Sequence, residues 1–162
     1  MKNYEIKRAT VDEKETLSNL LQFYIYDFSE FMDLQIEDNG RYGEYPVNEY
    51  WTDDARFPYL IWLDGKIAGF VLVKSINREE DDSYFSIAEF FILKRYRRTG
   101  LGKQVAKEIF QMHKGQWEVY QIDNNKPAQH FWKKTIDEYT GGKFTERIEI
   151  GRKTQVFVNY FG

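Results

Sequence analysis

The stretch Arg97-Arg98-Thr99-Gly100-Leu101-Gly102 follows an apolar run that ends at Leu93. It reads as a strand, a tight basic turn, and a helix that begins near Gly100. Such a turn gathers backbone N–H groups, a helix N-terminus and Arg side chains around one point, and that favours a bound anion, a pyrophosphate above all. A chain built this way needs a strand and a helix joined at close quarters. It also needs a second substrate and some chemistry from elsewhere.

Two common phosphate loops fail against this segment. A Walker A loop wants Gly five residues before Gly102 and Ser or Thr after Lys103, but those positions are Arg97 and Gln104. A dinucleotide fingerprint wants a third Gly where Val105 stands. A nucleotide-binding protein is therefore a weak reading. What remains is Arg-x-x-Gly-x-Gly, in which glycine lets a ligand approach the backbone closely.

The flanking pattern sets the fold class. Tyr4 to Ala9 alternates like a strand. From Asp12, Leu17, Leu20, Leu21, Tyr24, Phe28 and Phe31 recur at steps of three and four and line one helix face. Asp38 to Tyr50, with two glycines and a proline, reads as a loop preceded by a short second helix. Tyr59 to Leu63 and Ile67 to Lys74 are strands joined by an Asp64-Gly65 hairpin turn. The charged run Arg78 to Asp82 is the next hairpin tip. Tyr84 to Leu93 is a strand long enough to expect a bulge or splay.

The second half continues the alternation. A helix over Gly100 to His113 buries Leu101, Val105, Ala106, Ile109 and Phe110, and Trp117 to Ile122 is a strand. A helix opens with Pro127 as its first residue, and two strands, Phe144 to Ile150 and Thr154 to Tyr160, turn at Gly151-Arg152. This order predicts an α/β fold: a mixed, mostly antiparallel sheet of about seven strands flanked by helices. At 162 residues, 1–162 is expected to be a single domain.

Composition narrows the function. The net charge of −3 argues against a nucleic-acid binder, and no apolar run approaches a membrane span. There is no cysteine, which removes disulfides, thiolate metal sites and a Cys nucleophile and suits a cytoplasmic location. His113 and His130 are expected on helix surfaces, and neither has metal-ligand spacing. Charge is uneven. Asp27 to Asp54 holds nine acidic residues and one base, whereas Leu93 to Lys103 holds five bases and no acid. The bland reading is two differently solvated faces. The functional one is an anionic cofactor at one end and a cationic substrate near the other.

With these motifs the chain resembles the GNAT superfamily of acyl-CoA N-acyltransferases, in particular a poorly characterised bacterial subgroup. Arg97, Gly100 and Gly102 match the family signature, and Asn125-Lys126-Pro127-Ala128-Gln129-His130-Phe131-Trp132 matches the segment after its fifth strand. The resemblance implies that the turn holds the pyrophosphate of acetyl-CoA, with Arg98, Thr99, Leu101 and Lys103 lining it. Phe91, Ile92 and Leu93 would lie beside the pantetheine arm, strands 4 and 5 would splay to admit it, and Asn125, Ala128 and Phe131 would pack near it.

The implied activity is acetyl transfer to a primary amine of a small molecule or peptide, by direct attack in a ternary complex. Glu89 is the only carboxylate between Ser83 and Leu93 and is the leading candidate base, with the Ile92 N–H as oxyanion donor. Where the family usually carries a proton-donating Tyr this chain has Trp132, whose indole donates a hydrogen bond but is no general acid. Tyr120 is a substitute. Tyr24, Asp27, Tyr42, Tyr45 and Tyr50 are candidate acceptor-binding residues, as rings and carboxylates that suit a cationic amine. The final hairpin is a candidate surface for pairing with a second copy. The rival reading, raised by Trp132, is a catalytically weak CoA-binding sensor or interaction module.

Overall fold

The computed structural model describes residues 3–77 and 82–159. Most of the charged tip, Arg78 to Asp81, and Tyr160 lie outside them. In chain order the elements are β1 (Tyr4–Arg8), α1 (Lys14–Phe28), β2 (Arg56–Leu63), β3 (Lys66–Ile76), β4 (Tyr84–Ile92), α2 (Leu101–Met112), β5 (Gly115–Ile122), α3 (Lys126–Thr140), β6 (Thr145–Glu149) and β7 (Arg152–Asn159). The strands form one seven-stranded sheet in the order β1-β2-β3-β4-β5-β7-β6. The seven strands and the helices α1, α2 and α3 follow one another in the expected order. Pairing of β4 with β5 is parallel, with Phe85 opposite Trp117.

The chain divides into two compact units, Met1–Leu72 with Glu89–Leu93, and Val73–Ala88 with Lys94–Gly162. In the first, Thr10 donates its N–H to Glu13 Oε1 at 2.9 Å, which satisfies a donor at the entrance to α1. α1 then buries Leu17, Leu20 and Leu21. β1 and β2 pair antiparallel from Tyr4 opposite Leu63 to Arg8 opposite Tyr59. Asp64 and Gly65 have φ of 50° and 78°, the pair of positive values that a two-residue hairpin with matching twist demands. The expected second helix after α1 is not present. Residues 29–47 hold no helix or strand, and a single short turn, Asn48–Tyr50, follows them. Glycine at 40 and 43 and proline at 46 disfavour regular structure there.

In the second unit Phe110 of α2 is the hub. Its ring lies 4.9 Å from Trp117, 5.0 Å from Phe157 and 5.3 Å from Tyr139, which joins α2, β5, β7 and α3 into one core. Asn159 donates to the Phe110 carbonyl and ties the end of β7 to α2. β5 and β7 pair antiparallel over eight residues, and β6 pairs with β7. Three expectations need correcting. Lys126, not Pro127, opens α3, because Asn125 caps it. The last hairpin turns at Ile150-Gly151, since Glu149 already pairs with Arg152. His113 is buried, its ring 5.0 Å from Phe85 and its carbonyl accepting from Trp117 Nε1.

Candidate functional site

The first unit assembles a carboxylate between phenols. Glu89, on β4, accepts at Oε1 from the Tyr24 hydroxyl at 2.7 Å and at Oε2 from the Tyr45 hydroxyl at 2.6 Å. These lengths are in the short range of hydrogen bonds to a charged oxygen. Tyr24 comes from α1, one turn beyond Leu20 and Leu21. Its ring sits 5.7 Å from both Phe70 and Phe91, edge to face, and stacks on Phe28 at 5.9 Å. Tyr45 comes from the irregular segment 29–47. Gln22 of α1 holds that segment at two points, accepting from the Tyr42 N–H at 2.9 Å and donating to the Tyr42 carbonyl at 3.3 Å.

Tyr50 completes the group. Tyr50 is 2% exposed, and side-chain hydrogen bonds with Tyr45 and Arg56 bear on its hydroxyl. The Arg56 guanidinium lies 5.5 Å from its ring centre and is itself paired with Glu49 at 2.9 Å and Asp53 at 3.3 Å. Burial pushes the Tyr50 phenol up to about 12; nearby Arg56 pulls the other way, and the Glu89 charge adds to the rise. Burial and then Glu89 raise Tyr45 as well.

Both phenols are therefore neutral at ordinary pH, and the fold favours that form. Because the folded value of Tyr50 lies above the unfolded value of about 10, its contribution is complete below pH 10 and lost as pH climbs through about 12. For Tyr50 alone the two-unit rise corresponds to roughly 2–3 kcal/mol. Denaturant titrations at pH 9, 10 and 11 should show stability falling from pH 10 upward, and Tyr50→Phe should flatten that fall. An equal slope in the variant would contradict the assignment.

Of the expected acceptor residues, Tyr24, Tyr45 and Tyr50 thus gather at Glu89. Tyr42 contributes through its backbone. Asp27 is half-buried near the end of α1. Gln22 carried no sequence signal.

On β4, Phe91 and Ile92 are buried, and Leu93 donates its N–H to the Ala68 carbonyl at 2.8 Å. What Leu93 can offer a ligand amide is its carbonyl.

The second unit holds the basic turn. Arg98 and Gly100 have φ of 62° and 86°, two left-handed positions one residue apart, the kind of alternation that turns backbone N–H groups to one side. Gly100 is the N-cap of α2, and the first turn of that helix has no acidic residue. Thr99 Oγ1 donates to the Tyr96 carbonyl at 2.8 Å and accepts from the Leu101 N–H at 3.4 Å, which fixes the entrance to the helix. Arg98, Thr99 and Gly100 are exposed, Arg97 and Gly102 half-exposed. This arrangement fits a pyrophosphate. Lys103 is engaged elsewhere, 2.9 Å from Glu138, and the hydrogen bond it donates holds that carboxyl below its usual range.

Asn125 Oδ1 accepts from the Ala128 N–H at 3.2 Å, so its side chain caps α3. Trp132 is 7% exposed and packs against Phe131 at 5.0 Å and Phe110 at 6.3 Å. Tyr120 is 45% exposed, lies under the Arg152 guanidinium at 4.7 Å, and lines a cavity of about 120 Å³ with Tyr84, Ser86, Glu118 and Thr154. A wider recess of about 400 Å³ beside His130, Lys133, Lys134 and Phe144 holds none of the candidate residues. Among the described residues no group of three or more His, Cys, Asp or Glu is placed to hold a metal ion, and no helix is long and apolar enough to cross a membrane.

A seven-stranded mixed sheet with three helices and a β4/β5 parallel pair defines an acetyltransferase-type fold. The chain belongs to the acetyltransferase (GNAT) family, whose model matches residues 21–136. A GNAT-family acetyltransferase from Streptococcus agalactiae superposes with a TM-score of 0.71 at 13% identity, over 98% of this chain and 96% of its own. The PaiA N-acetyltransferase of Thermoplasma acidophilum, solved with coenzyme A, gives 0.68 at 12% identity, over 98% and 100%. The spermidine N-acetyltransferase of Vibrio cholerae, solved with CoA and spermine, gives 0.66 at 12%, over 96% and 95%. At such identities the likeness is one of fold.

Proposed function

We propose that this chain uses acetyl-CoA to acetylate a primary amine of a small molecule or peptide, by direct attack and with no covalent enzyme intermediate. The observation that carries this is Glu89, a carboxylate held by two phenols between aromatic walls, on the strand that leads into the anion-binding turn. Amines of this kind are protonated at neutral pH, with pKa near 10.4 for a lysine-type group, so a base is needed. A carboxylate oxygen has two lone-pair sites, so one phenol does not exhaust it as an acceptor. Directly or through water it takes the ammonium proton, the neutral amine attacks the thioester carbon, and the second N–H proton of the tetrahedral intermediate passes to water or to the departing sulfur. The Ile92 N–H faces the developing oxyanion. The carbon–sulfur bond then breaks and the sulfur leaves, protonated by Tyr120 or by water.

Arg97, Arg98, Thr99, Gly100, Leu101 and Gly102 hold the phosphates, with Lys103 available once it leaves Glu138. Phe91, Ile92 and Leu93 run beside the pantetheine arm, and Asn125, Ala128 and Phe131 flank it. The burial of Trp132 against Phe110 supports a packing role more than contact with sulfur. The lack of a dedicated acid keeps the sensor reading as a rival. Residues 1–162 act as one domain in this reading, in the cytoplasm.

Calorimetric titration with acetyl-CoA tests the proposal. The native chain should bind in the micromolar range, and Gly102→Glu should weaken binding at least about 100-fold, since an anion there repels phosphate where the helix end had attracted it. A glutamate in the first turn of a helix is favourable, so the thermal midpoint should hold. No binding by the native chain would sink the proposal. Amines can then be screened by CoA thiol release, with polyamines first in view of the Vibrio enzyme. A chain without cysteine gives that assay no protein background. Binding without release on any amine would favour the sensor.

A further inference from the structure

A guanidinium stands two phenols away from Glu89. Arg56 opens β2, and its Nη2 pairs with Glu49 at 2.9 Å while its Nε donates to Asp53 at 3.3 Å. Both acids are exposed, and they hold the planar fork in place and offset its charge. The same guanidinium is hydrogen-bonded to the Tyr50 hydroxyl, with its carbon 5.5 Å from the ring centre. The Tyr50 hydroxyl is hydrogen-bonded in turn to Tyr45, and the Tyr45 hydroxyl donates to Glu89 Oε2 at 2.6 Å. Arg56, Tyr50, Tyr45 and Glu89 thus stand in line, all within the first unit.

The chemistry of the two ends gives this line a direction. A guanidinium has donors only, an ionised carboxylate has acceptors only, and a phenol has a single hydrogen to give. Arg56 therefore donates to Tyr50, which leaves the Tyr50 hydrogen for Tyr45 and the Tyr45 hydrogen for Glu89. With no donor at the Arg56 end, the Tyr50 hydroxyl could turn, and Tyr45 could donate to Tyr50 instead of to the carboxylate. Tyr50 is 2% exposed, so water is poorly placed to restore the order. Hydrogen bonds aligned in one direction also strengthen one another in a site of low dielectric.

We infer that Arg56 and Tyr50 are positioning residues for Glu89: a one-way hydrogen-bond chain from Arg56 through Tyr50 and Tyr45 holds a donor on Oε2 and keeps Glu89 in the carboxylate form that can take up a proton. The inference rests on the acetyltransferase reading and adds to it two residues that act through a third. Facing Glu89 are Tyr24 from α1, which donates to Oε1, Tyr45 from the segment 29–47, and Tyr50 behind it from the turn 48–50. Phe70 of β3 and Phe91 of β4 wall the same group and do not titrate. Because Glu49 and Asp53 offset the Arg56 charge at close range, its effect on Glu89 passes through the phenols. Arginine suits the place because one planar fork serves Glu49, Asp53 and Tyr50 together, which a lysine point charge does not.

The Glu89 carboxyl titration reads the chain directly, by carbon-13 NMR on the protein without acetyl-CoA and with Glu89→Gln to assign the signal. Its midpoint should rise by about half a pH unit in Tyr50→Phe and by about one unit in Arg56→Met, the scale of weakening one hydrogen bond to a charged group. In a Tyr50→Phe background, Arg56→Met should add no more than about 0.3 unit, since the hydroxyl that carried its effect is gone. An unmoved midpoint in Tyr50→Phe, or an Arg56→Met shift of equal size in both backgrounds, would overturn the inference. Tyr50→Phe keeps both ion pairs of Arg56, so it decides the matter even where Arg56→Met does not fold. With spermidine and saturating acetyl-CoA, the acid limb of kcat/KM should move up by the same amounts, and the rate at pH 9 should stay within about threefold of native. A limb that stays while the NMR midpoint moves would assign the proton to another base and overturn the role in the reaction. A moved midpoint with no acetyl transfer to any amine would keep the chain and discard the enzyme reading alone.

Discussion

Glu89→Gln should cut kcat/KM for amine acetylation by about 10²–10⁴-fold, the usual worth of a positioned base. The change keeps the shape of the side chain and both of its contacts. Gln can accept from Tyr24 at its carbonyl, and the Tyr45 hydroxyl can rotate to accept from its amide. What goes is the charge and the ability to take a proton. The thermal midpoint should therefore move little, while acetyl-CoA affinity at the Arg97–Gly102 turn stays as it was. The rate profile should also lose the acidic limb that reports a titrating base in the free enzyme. A rate near native and an intact pH profile in Glu89→Gln would reduce Glu89 to a pin for Tyr24 and Tyr45, and the base would have to be sought elsewhere.

The parts of this site that the sequence made legible are those with a local cause. The turn was found because Arg97, Gly100 and Gly102 are neighbours in the chain and sit between a strand pattern and a helix pattern. The α1 face was found because Leu17, Leu20, Leu21 and Tyr24 repeat at helical spacing. Glu89 stood out as one carboxylate in an apolar strand. The relation of Tyr45 to Glu89 spans 44 residues and comes from a segment with no periodicity, so no pattern pointed to it. Tyr24 and Tyr45 were expected as walls for a cation. The structure makes them hydrogen-bond donors to the carboxylate, a difference that lies in where two hydroxyls end, not in residue type. Asn125, expected beside the cofactor arm, also caps α3 with its side-chain oxygen. His113 was read as surface because it ends a helix, yet it is covered by Phe85 and Trp117, rings brought there by the β4/β5 pairing.

Gly69→Ala should cost about 3 kcal/mol or more, near the top of the range for overpacking, because the contact is with backbone and cannot be relieved by a rotamer change. A Cβ built at Gly69 lies 2.0 Å from the Phe91 carbonyl oxygen and 3.1 Å from the Ile92 Cα. Either β3 or β4 has to move. Isolated glycine inside a strand is a known mark of close backbone approach, and Gly69 lies inside β3. For a chain of this size the loss amounts to a fall of roughly 6–12 °C in thermal midpoint. Gly43→Ala is the matched control, since nothing lies within 4 Å of a Cβ there, and it should stay within about 0.5 kcal/mol of native. The consequence reaches the site as well. Phe91 walls the aromatic group and stands two residues from Glu89, so a shift in β4 displaces the carboxylate that the two tyrosines hold. Any Gly69→Ala protein that folds should bind acetyl-CoA less tightly and turn over more slowly than its lower stability alone accounts for. A variant with a native midpoint and native kinetics would mean that β3 and β4 do not approach as closely as 2.0 Å implies.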